Sequence, residues 1–240
     1  MTGSPDFWAV IPAGGVGRRM GADRPKQYLE LLDRTVLEHS LLPFCKHPLI
    51  KGIAVVVADN DEYWPALALS GHDGIVTASA GSERCHSVLN GLRRIGEIAA
   101  DDDWVLVHDA ARPCVTAADI DLLIAGLRDH SAGGILALPV SDTVKQAGQD
   151  HAIEATLDRQ RLWRALTPQM FRLGLLRDSI AAAIADNLLV TDEAQALERR
   201  GYRPGIVQGG PHNIKVSRTE DLALAEFYLK RYLNSGRGQN

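Results

Sequence analysis

Aromatic residues are scarce in this chain, 5% of 240, and no unbroken apolar run exceeds six residues, the length of Ile53–Ala58. A bilayer-spanning helix needs about 20 consecutive apolar residues, so no membrane segment is expected. Met1–Asp6 shows no cationic stretch leading into an apolar one, and no secretory signal is expected either. Cysteine is equally rare. Cys45, Cys85 and Cys114 form no C-x-x-C pair, and three thiols cannot all pair within one chain. Free thiols in a reducing compartment are the simpler reading, which points to a cytoplasmic location. Charge of neither sign is gathered in a block: 26 Lys and Arg stand against 30 Asp and Glu, a formal net charge of −4. That balance argues against nucleic acid as a partner, and any anionic ligand must be met by cations that the fold gathers locally. Eight histidines are scattered with no two at i,i+4 spacing, so no zinc cluster is expected.

What remains is ordinary globular material, 45% hydrophobic and 23% charged, and its rhythm is alternating strand and helix. Phe7–Ile11, Ile53–Ala58, Trp104–His108, Gly134–Val140, Gly205–Val207 and Asn213–Val216 read as strands. The central ones are apolar without alternation, as expected of strands covered on both faces. Thr35–Lys46, Glu83–Ala99, Ala117–Asp129, Leu173–Ala185, Thr191–Arg200 and Thr219–Tyr232 carry helical spacing. Thr116 with Asp119 has the form of a capping pair. The fold class expected is α/β, a single Rossmann-like, doubly wound and mostly parallel sheet over residues 1–233, with a frayed tail at 234–240. The stretch 139–169 breaks the rhythm. Thr143–Lys145 and Ala152–Leu157, joined by a turn at Gly148–Asp150, read as a projecting β-arm. A two-stranded ribbon alone is marginal in water, so a second subunit or the parent domain must cover it.

Three segments carry chemistry. In Ala9–Met20 a buried strand runs into the glycine-rich loop Ala13-Gly14-Gly15-Val16-Gly17, which ends in Arg18 and Arg19; Lys26 follows in Pro25-Lys26-Gln27. Glycines let backbone N–H groups approach phosphate oxygens, and the cations add charge. The spacing fits neither G-x-G-x-x-G, because Met20 stands at the third glycine, nor the Walker pattern. In Trp104–Pro113 a buried strand delivers Asp109 at its C-terminal end, where open α/β sheets bind ligands, with Arg112 close by. Neighbouring strand residues face opposite ways, so His108 is expected to pack rather than pair with Asp109. In His212–Ser217, Lys215 stands between Ile214 and Val216 after a Gly209-Gly210-Pro211 turn, a candidate phosphate contact.

These segments, with Ser82-Glu83-Arg84, Ser87, Asp142-Thr143, Asp158-Arg159, Leu166–Gln169, Thr191–Ala194 and Glu220–Tyr228, resemble the 2-C-methyl-D-erythritol 4-phosphate cytidylyltransferases. The resemblance runs from Val10 to about Tyr232. It implies a CTP-dependent nucleotidyltransferase that joins CMP to methylerythritol phosphate and releases pyrophosphate, with Mg²⁺ carried mainly by the CTP phosphates. It further implies that Ala13, Gly14, Gly15 and Gly17, with the catalytic cations Arg19 and Lys26, hold the triphosphate. Ala80, Gly81, Ser82 and Ser87 would surround the cytidine. Asp109, Arg112, Thr143 and the catalytic Lys215 would meet the sugar phosphate, and Arg159 and Thr167, on or near the arm, would reach the substrate of a neighbouring subunit in a homodimer. The chain departs from the usual family pattern where Pro12-Ala13-Gly14-Gly15 replaces Pro-Ala-Ala-Gly, where Ala80-Gly81-Ser82 replaces a Gly-Gly-Asp-like turn, and where His212 stands for a frequent Asp.

Other readings compete. A ribitol 5-phosphate cytidylyltransferase would share the phosphate motifs, although Thr143, Arg159 and Asp109 fit the methylerythritol enzyme better. An NAD(P)-dependent reductase is disfavoured by the loop spacing and by the absence of any Tyr-x-x-x-Lys. A metal-dependent glycosyltransferase would need Asp101-Asp102-Asp103 or Asp59-Asn60-Asp61 as its Asp-x-Asp motif, and both are expected to serve turns and a helix start instead.

Overall fold

The computed structural model describes residues 4–15 and 24–234. In chain order the elements are β1 (Phe7–Pro12), β2 (Glu30–Leu31), β3 (Arg34–Thr35), α1 (Val36–Cys45), β4 (Ile50–Val57), β5 (Ile75–Ser79), α2 (Arg84–Ile95), β6 (Trp104–Val107) and α3 (Ala117–Leu127). Then follow β7 (Gly133–Pro139), β8 (Val144–Ala147), β9 (Ile153–Leu157), β10 (Trp163–Arg172), α4 (Leu173–Ala185), α5 (Glu193–Glu198), β11 (Gly205–Gln208) and α6 (Glu220–Asn234). Seven strands form one sheet in the order β11-β7-β10-β6-β1-β4-β5. All neighbours run parallel except β10, which is antiparallel to both β6 and β7.

The missing alternation in the central strands has the expected cause. In β1, Val10 packs into one core with Val56, Val107 and the inner faces of α2, α4 and α5, while Ala9 and Ile11 enter a second core with α1 and α3. Both faces are dry, so both sets are apolar. Capping boxes start α1, through Thr35 and Glu38, and α3, through Thr116 and Asp119. A third, smaller cluster joins Leu31, Val36, Cys114 and Val216 to Ala225 and Leu229 of α6. It anchors the segment just beyond Lys215 to the body of the protein.

Three expectations change. Asn213–Val216 is not a strand; it is a loop whose link to the body includes the Val216 N–H bond to Ala111 C=O at 2.8 Å. Ile75–Ser79 is a strand, hidden in sequence because it is only half-buried at the sheet edge. The stretch 139–169 divides. β8 and β9 do form a separate two-stranded ribbon, but Trp163–Gln169 belongs to β10 in the main sheet. Pro168 argues against a central strand on sequence grounds. The pairing of β10 with β7 accommodates it through a register shift between Ala165 and Gln169.

Candidate active site

The sheet order reverses between β1 and β6. From β1 the chain passes to β4 and β5 on one side, then returns to β6 on the other. Beyond the C-terminal ends of these strands lies a cleft of about 420 Å³, the position where such sheets bind ligands. It gathers Ala13, Gly14 and Gly15 after β1, Gly81, Ser82 and Ser87 around the start of α2, Asp109 after β6, and Lys26 and Lys215 from distant segments.

Gln27 shapes the first wall. Its buried side-chain amide donates to Ala13 C=O at 2.6 Å and to Gly15 C=O at 2.9 Å, pinning the glycine loop at two points. Gly14 is required by contact: a Cβ there would stand 2.2 Å from Ala80 Cβ. Ala80 thus packs behind the loop rather than lining the cleft. The next turn is closed by Ser87, whose Oγ accepts the Gly81 N–H at 3.0 Å and donates to Glu83 C=O at 3.2 Å. Ser82 stays exposed at the cleft, its Oγ 3.2 Å from His86 Nδ1.

Asp109 is the hub. Its carboxylate accepts from Lys215 Nζ at 2.8 Å, Arg84 Nε at 3.1 Å and Arg112 Nε at 3.4 Å. Burial alone would push this carboxyl up, but Arg84, Lys215 and Arg112 more than offset it and hold it far below the usual carboxylate range. Arg84 also makes a two-pronged pair with Glu193, at 2.6 and 3.3 Å. Burial works against its charge, yet Glu193 and Asp109 keep the guanidinium firmly ionised. Arg112 spends Nη1 on Asn213 C=O at 2.8 Å, so it holds the Lys215 loop rather than lining the cleft. Lys26 donates to Val216 C=O at 3.1 Å, across 190 residues of sequence. Arg84, Arg112 and Lys215 pair with Asp109, Arg84 pairs with Glu193 as well, and Lys26 lines the same cleft, so four cations stand against two carboxylates and the local balance favours an anionic ligand despite the acidic chain.

Thr167 sits in β10 beneath this hub, buried, not on the ribbon. Its Oγ accepts the Asp109 N–H at 3.1 Å and, because a neutral His108 ring that donates from Nε2 accepts at Nδ1, gives its own proton to that nitrogen at 2.9 Å. His108 Nε2 then donates to Arg112 C=O at 3.2 Å. Burial drives the His108 pKa down to about 4, and the ring packs as a neutral group. Thr143 and Arg159 are exposed on and beside the ribbon and do not line this cleft; Arg159 donates to Ser141 C=O at 2.5 Å. Gly17 and Arg19 lie outside the described residues.

Gln27, Arg84 and Glu193 stand in the motifs that carry the resemblance, but the sequence alone assigns them no role. Glu193 follows the N-cap Asp192 at the start of α5 and is buried, where a carboxylate requires a cation. Its partner, 109 residues away, had no sequence signature. The two acidic triplets are structural: Asp101 pairs with Arg177, Asp103 accepts from Trp8 Nε1, and Asp61 accepts the Tyr63 and Trp64 N–H groups. Among the described residues no group of three or more His, Cys, Asp or Glu could hold a metal, and no helix is long and apolar enough to cross a membrane.

Known proteins match this arrangement along most of the chain. The family profile described as 2-C-methyl-D-erythritol 4-phosphate cytidylyltransferase matches residues 7–231. The cytidylyltransferase of that name from Vibrio vulnificus (strain CMCP6) is 52% identical over 223 residues, 93% of this chain and 94% of the relative. That of Pseudomonas entomophila (strain L48) is 51% identical over 219 residues, 91% and 93%. The crystal structure of the Francisella tularensis enzyme superposes with a TM-score of 0.81 at 38% identity, covering 93% of this chain and 99% of that one. With a cation-lined cleft at the switch point and this similarity along most of its length, the chain belongs to the 2-C-methyl-D-erythritol 4-phosphate cytidylyltransferase family.

Proposed function

We propose that this chain makes 4-diphosphocytidyl-2-C-methyl-D-erythritol and pyrophosphate from CTP and 2-C-methyl-D-erythritol 4-phosphate. An oxygen of the sugar phosphate attacks the α-phosphorus of CTP in line. The bond from that phosphorus to the bridging oxygen of the leaving group breaks, and pyrophosphate departs with the electron pair. A phosphate monoester is already ionised near neutral pH, so no strong base is needed. The obstacle is repulsion between two anions, and fixed cations with rigid positioning supply the rate. The observation that carries this reading is the meeting of Lys26 and Lys215 in one cleft with the glycine loop.

In this reading the loop Ala13–Gly15 and Lys26 receive the triphosphate, and the turn at Gly81–Ser82 with Ser87 receives the cytidine. Lys215 orients the attacking phosphate. Asp109 sets the lysine's direction, and Arg84 and Arg112 keep Asp109 charged. Gly17 and Arg19 complete the triphosphate cradle. A Mg²⁺ ion fits this donor set as one carried by the triphosphate's own oxygens, since both oxygens of Asp109 are already taken up by cations. Such an ion neutralises phosphate charge when bound.

We further propose a homodimer in which the β8–β9 ribbon brings Thr143 and Arg159 to the neighbouring subunit's sugar phosphate. Supporting it, the ribbon and the strand after it leave Ile153 66% exposed, along with Leu157 and Trp163. The three free thiols suit a cytoplasmic enzyme.

The test is pyrophosphate release from CTP. It should depend on methylerythritol phosphate and Mg²⁺ and run at least tenfold faster than with ribitol 5-phosphate; turnover with the ribitol ester alone would overturn the acceptor assignment. Arg159→Ala should raise KM for the sugar phosphate about tenfold, the worth of one charge-assisted contact, with kcat less affected. An unchanged KM would remove Arg159 from the site, and a fully active monomer by sedimentation would remove the ribbon's role.

A further inference from the structure

His212 is one of the places where this chain departs from the usual pattern, and its surroundings are specific. Its Nε2 lies 2.8 Å from Asp119 Oδ2, and that same oxygen caps α3 by accepting from Thr116 N and Oγ. Asp119 is buried and belongs to the rigid first turn of the helix. The imidazole lies over Gly210, where a Cβ would stand 2.2 Å from its Cε1, and meets Tyr228 of α6 edge-on at 6.5 Å. Glycine at 210 is what lets the ring seat.

Immediately after this anchor comes the loop that builds the cleft's far wall. Asn213 donates to Thr167 C=O at 2.7 Å and its own C=O takes Arg112; Lys215 reaches Asp109; Val216 C=O receives Lys26. These contacts come from the four residues that follow His212, and His212 itself supplies the link to α3. We infer that His212 is a positioning residue for the reaction: by latching the loop onto Asp119 it sets the place of Lys215 and Val216, and with them the attacking phosphate. The inference rests on the role proposed above for Lys215.

The latch has a pH sense. The hydrogen bond to Asp119 raises the His212 pKa above its ordinary 6.5, against a smaller opposing effect of burial. A group with a raised folded pKa contributes most below its ordinary value and loses that contribution as pH rises through the folded one. The charge-assisted part of the latch therefore fades on the alkaline side, leaving a neutral N–H donor. His212 lines a second cavity, separate from the substrate cleft, with Asp119 and Asp121 of α3, Cys114 before it, and Tyr228, Arg231 and Tyr232 of α6. Of these, Asp119 is the one bonded to the ring.

The experiment compares His212→Ala and His212→Gln with the unaltered enzyme, each across pH 6 to 9, with melting temperatures recorded. The Ala variant is expected to lose about tenfold in kcat while KM for CTP stays within about twofold, the pattern of a lost positioning contact. The Gln variant, whose amide nitrogen can replace Nε2 as donor, should recover to within about threefold. Its activity relative to the unaltered enzyme should rise as pH climbs, a ratio from which the substrate's own titration cancels. Unchanged kcat in the Ala variant overturns the inference. So does equal loss in both variants accompanied by equal falls in melting temperature, which marks a purely structural role. Lys215→Ala serves as the separate control: full activity there removes the reading of Lys215, whereas a silent His212→Ala beside an inactive Lys215→Ala removes the latch alone.

Discussion

Lys215→Ala is expected to lower kcat by about 100- to 1,000-fold while the protein remains folded, the size of effect seen when one preorganised donor to a developing anion is lost. The lysine is partly exposed, and its partner Asp109 keeps Arg84 and Arg112 after the change, so no carboxylate is stranded in the core. The loop keeps the Asn213 and Val216 bonds that hold its backbone. Stability and catalysis thus separate at this residue. Single-turnover pyrophosphate release together with a thermal melt checks it. Near-normal turnover would refute the phosphate role, and an unfolded variant would refute the claim that Asp109 is sufficiently paired without the lysine.

Gly14→Ala is expected to be the more informative failure, because a second substitution should repair it. The added methyl would stand 2.2 Å from Ala80 Cβ, far inside contact distance, with both backbones held in place. Ala13 N–H is bonded to Val56 C=O and Ala80 N–H to Val57 C=O, each at 2.7 Å, and neither can yield without breaking a bond that continues the sheet. Overpacking of this kind costs about 1–3 kcal/mol, and each kcal/mol lowers the melting temperature by about 2–4 °C at this chain size. Activity should suffer more. A displacement of the phosphate loop by about 1 Å can cost about 100-fold. The double variant Gly14→Ala, Ala80→Gly moves the methyl across the contact and should restore both activity and melting temperature to within about threefold and a few degrees. The two departures from the family pattern, glycine for alanine at 14 and alanine for glycine at 80, then become one exchange. Simple addition of the two single effects in a double-mutant cycle would show that the sites are independent and the explanation wrong.

Much of this is legible in the sequence. β1, β4 and β6 announce themselves because strands covered on both faces have no polar positions, α1 because of its helical spacing and α3 also because its capping pair is local. The edge strand β5 and the proline-bearing β10 are not, since one is half-buried and the other carries a residue that sheets usually refuse. The Asn213–Val216 segment shows the converse: β-branched residues around a lysine suggest a strand, but here Val216 is buried against α6 and Lys215 turns to Asp109, and the segment joins no ladder.

The sequence by itself determined the alternation of strand and helix, the glycine loop after β1 and the carboxylate at the end of β6, because each is specified by residues within a few positions of one another. Only the tertiary structure decided that Arg84 is shared between Asp109 and Glu193, that Gln27 pins the loop, that Thr167 lies under the hub rather than on the ribbon, and that Gly14 and Ala80 are a pair. Local patterns encode backbone conformation, which depends on neighbours in the chain. The electrostatics of the cleft depend on which charges burial forces together, and those come from opposite ends of the sequence.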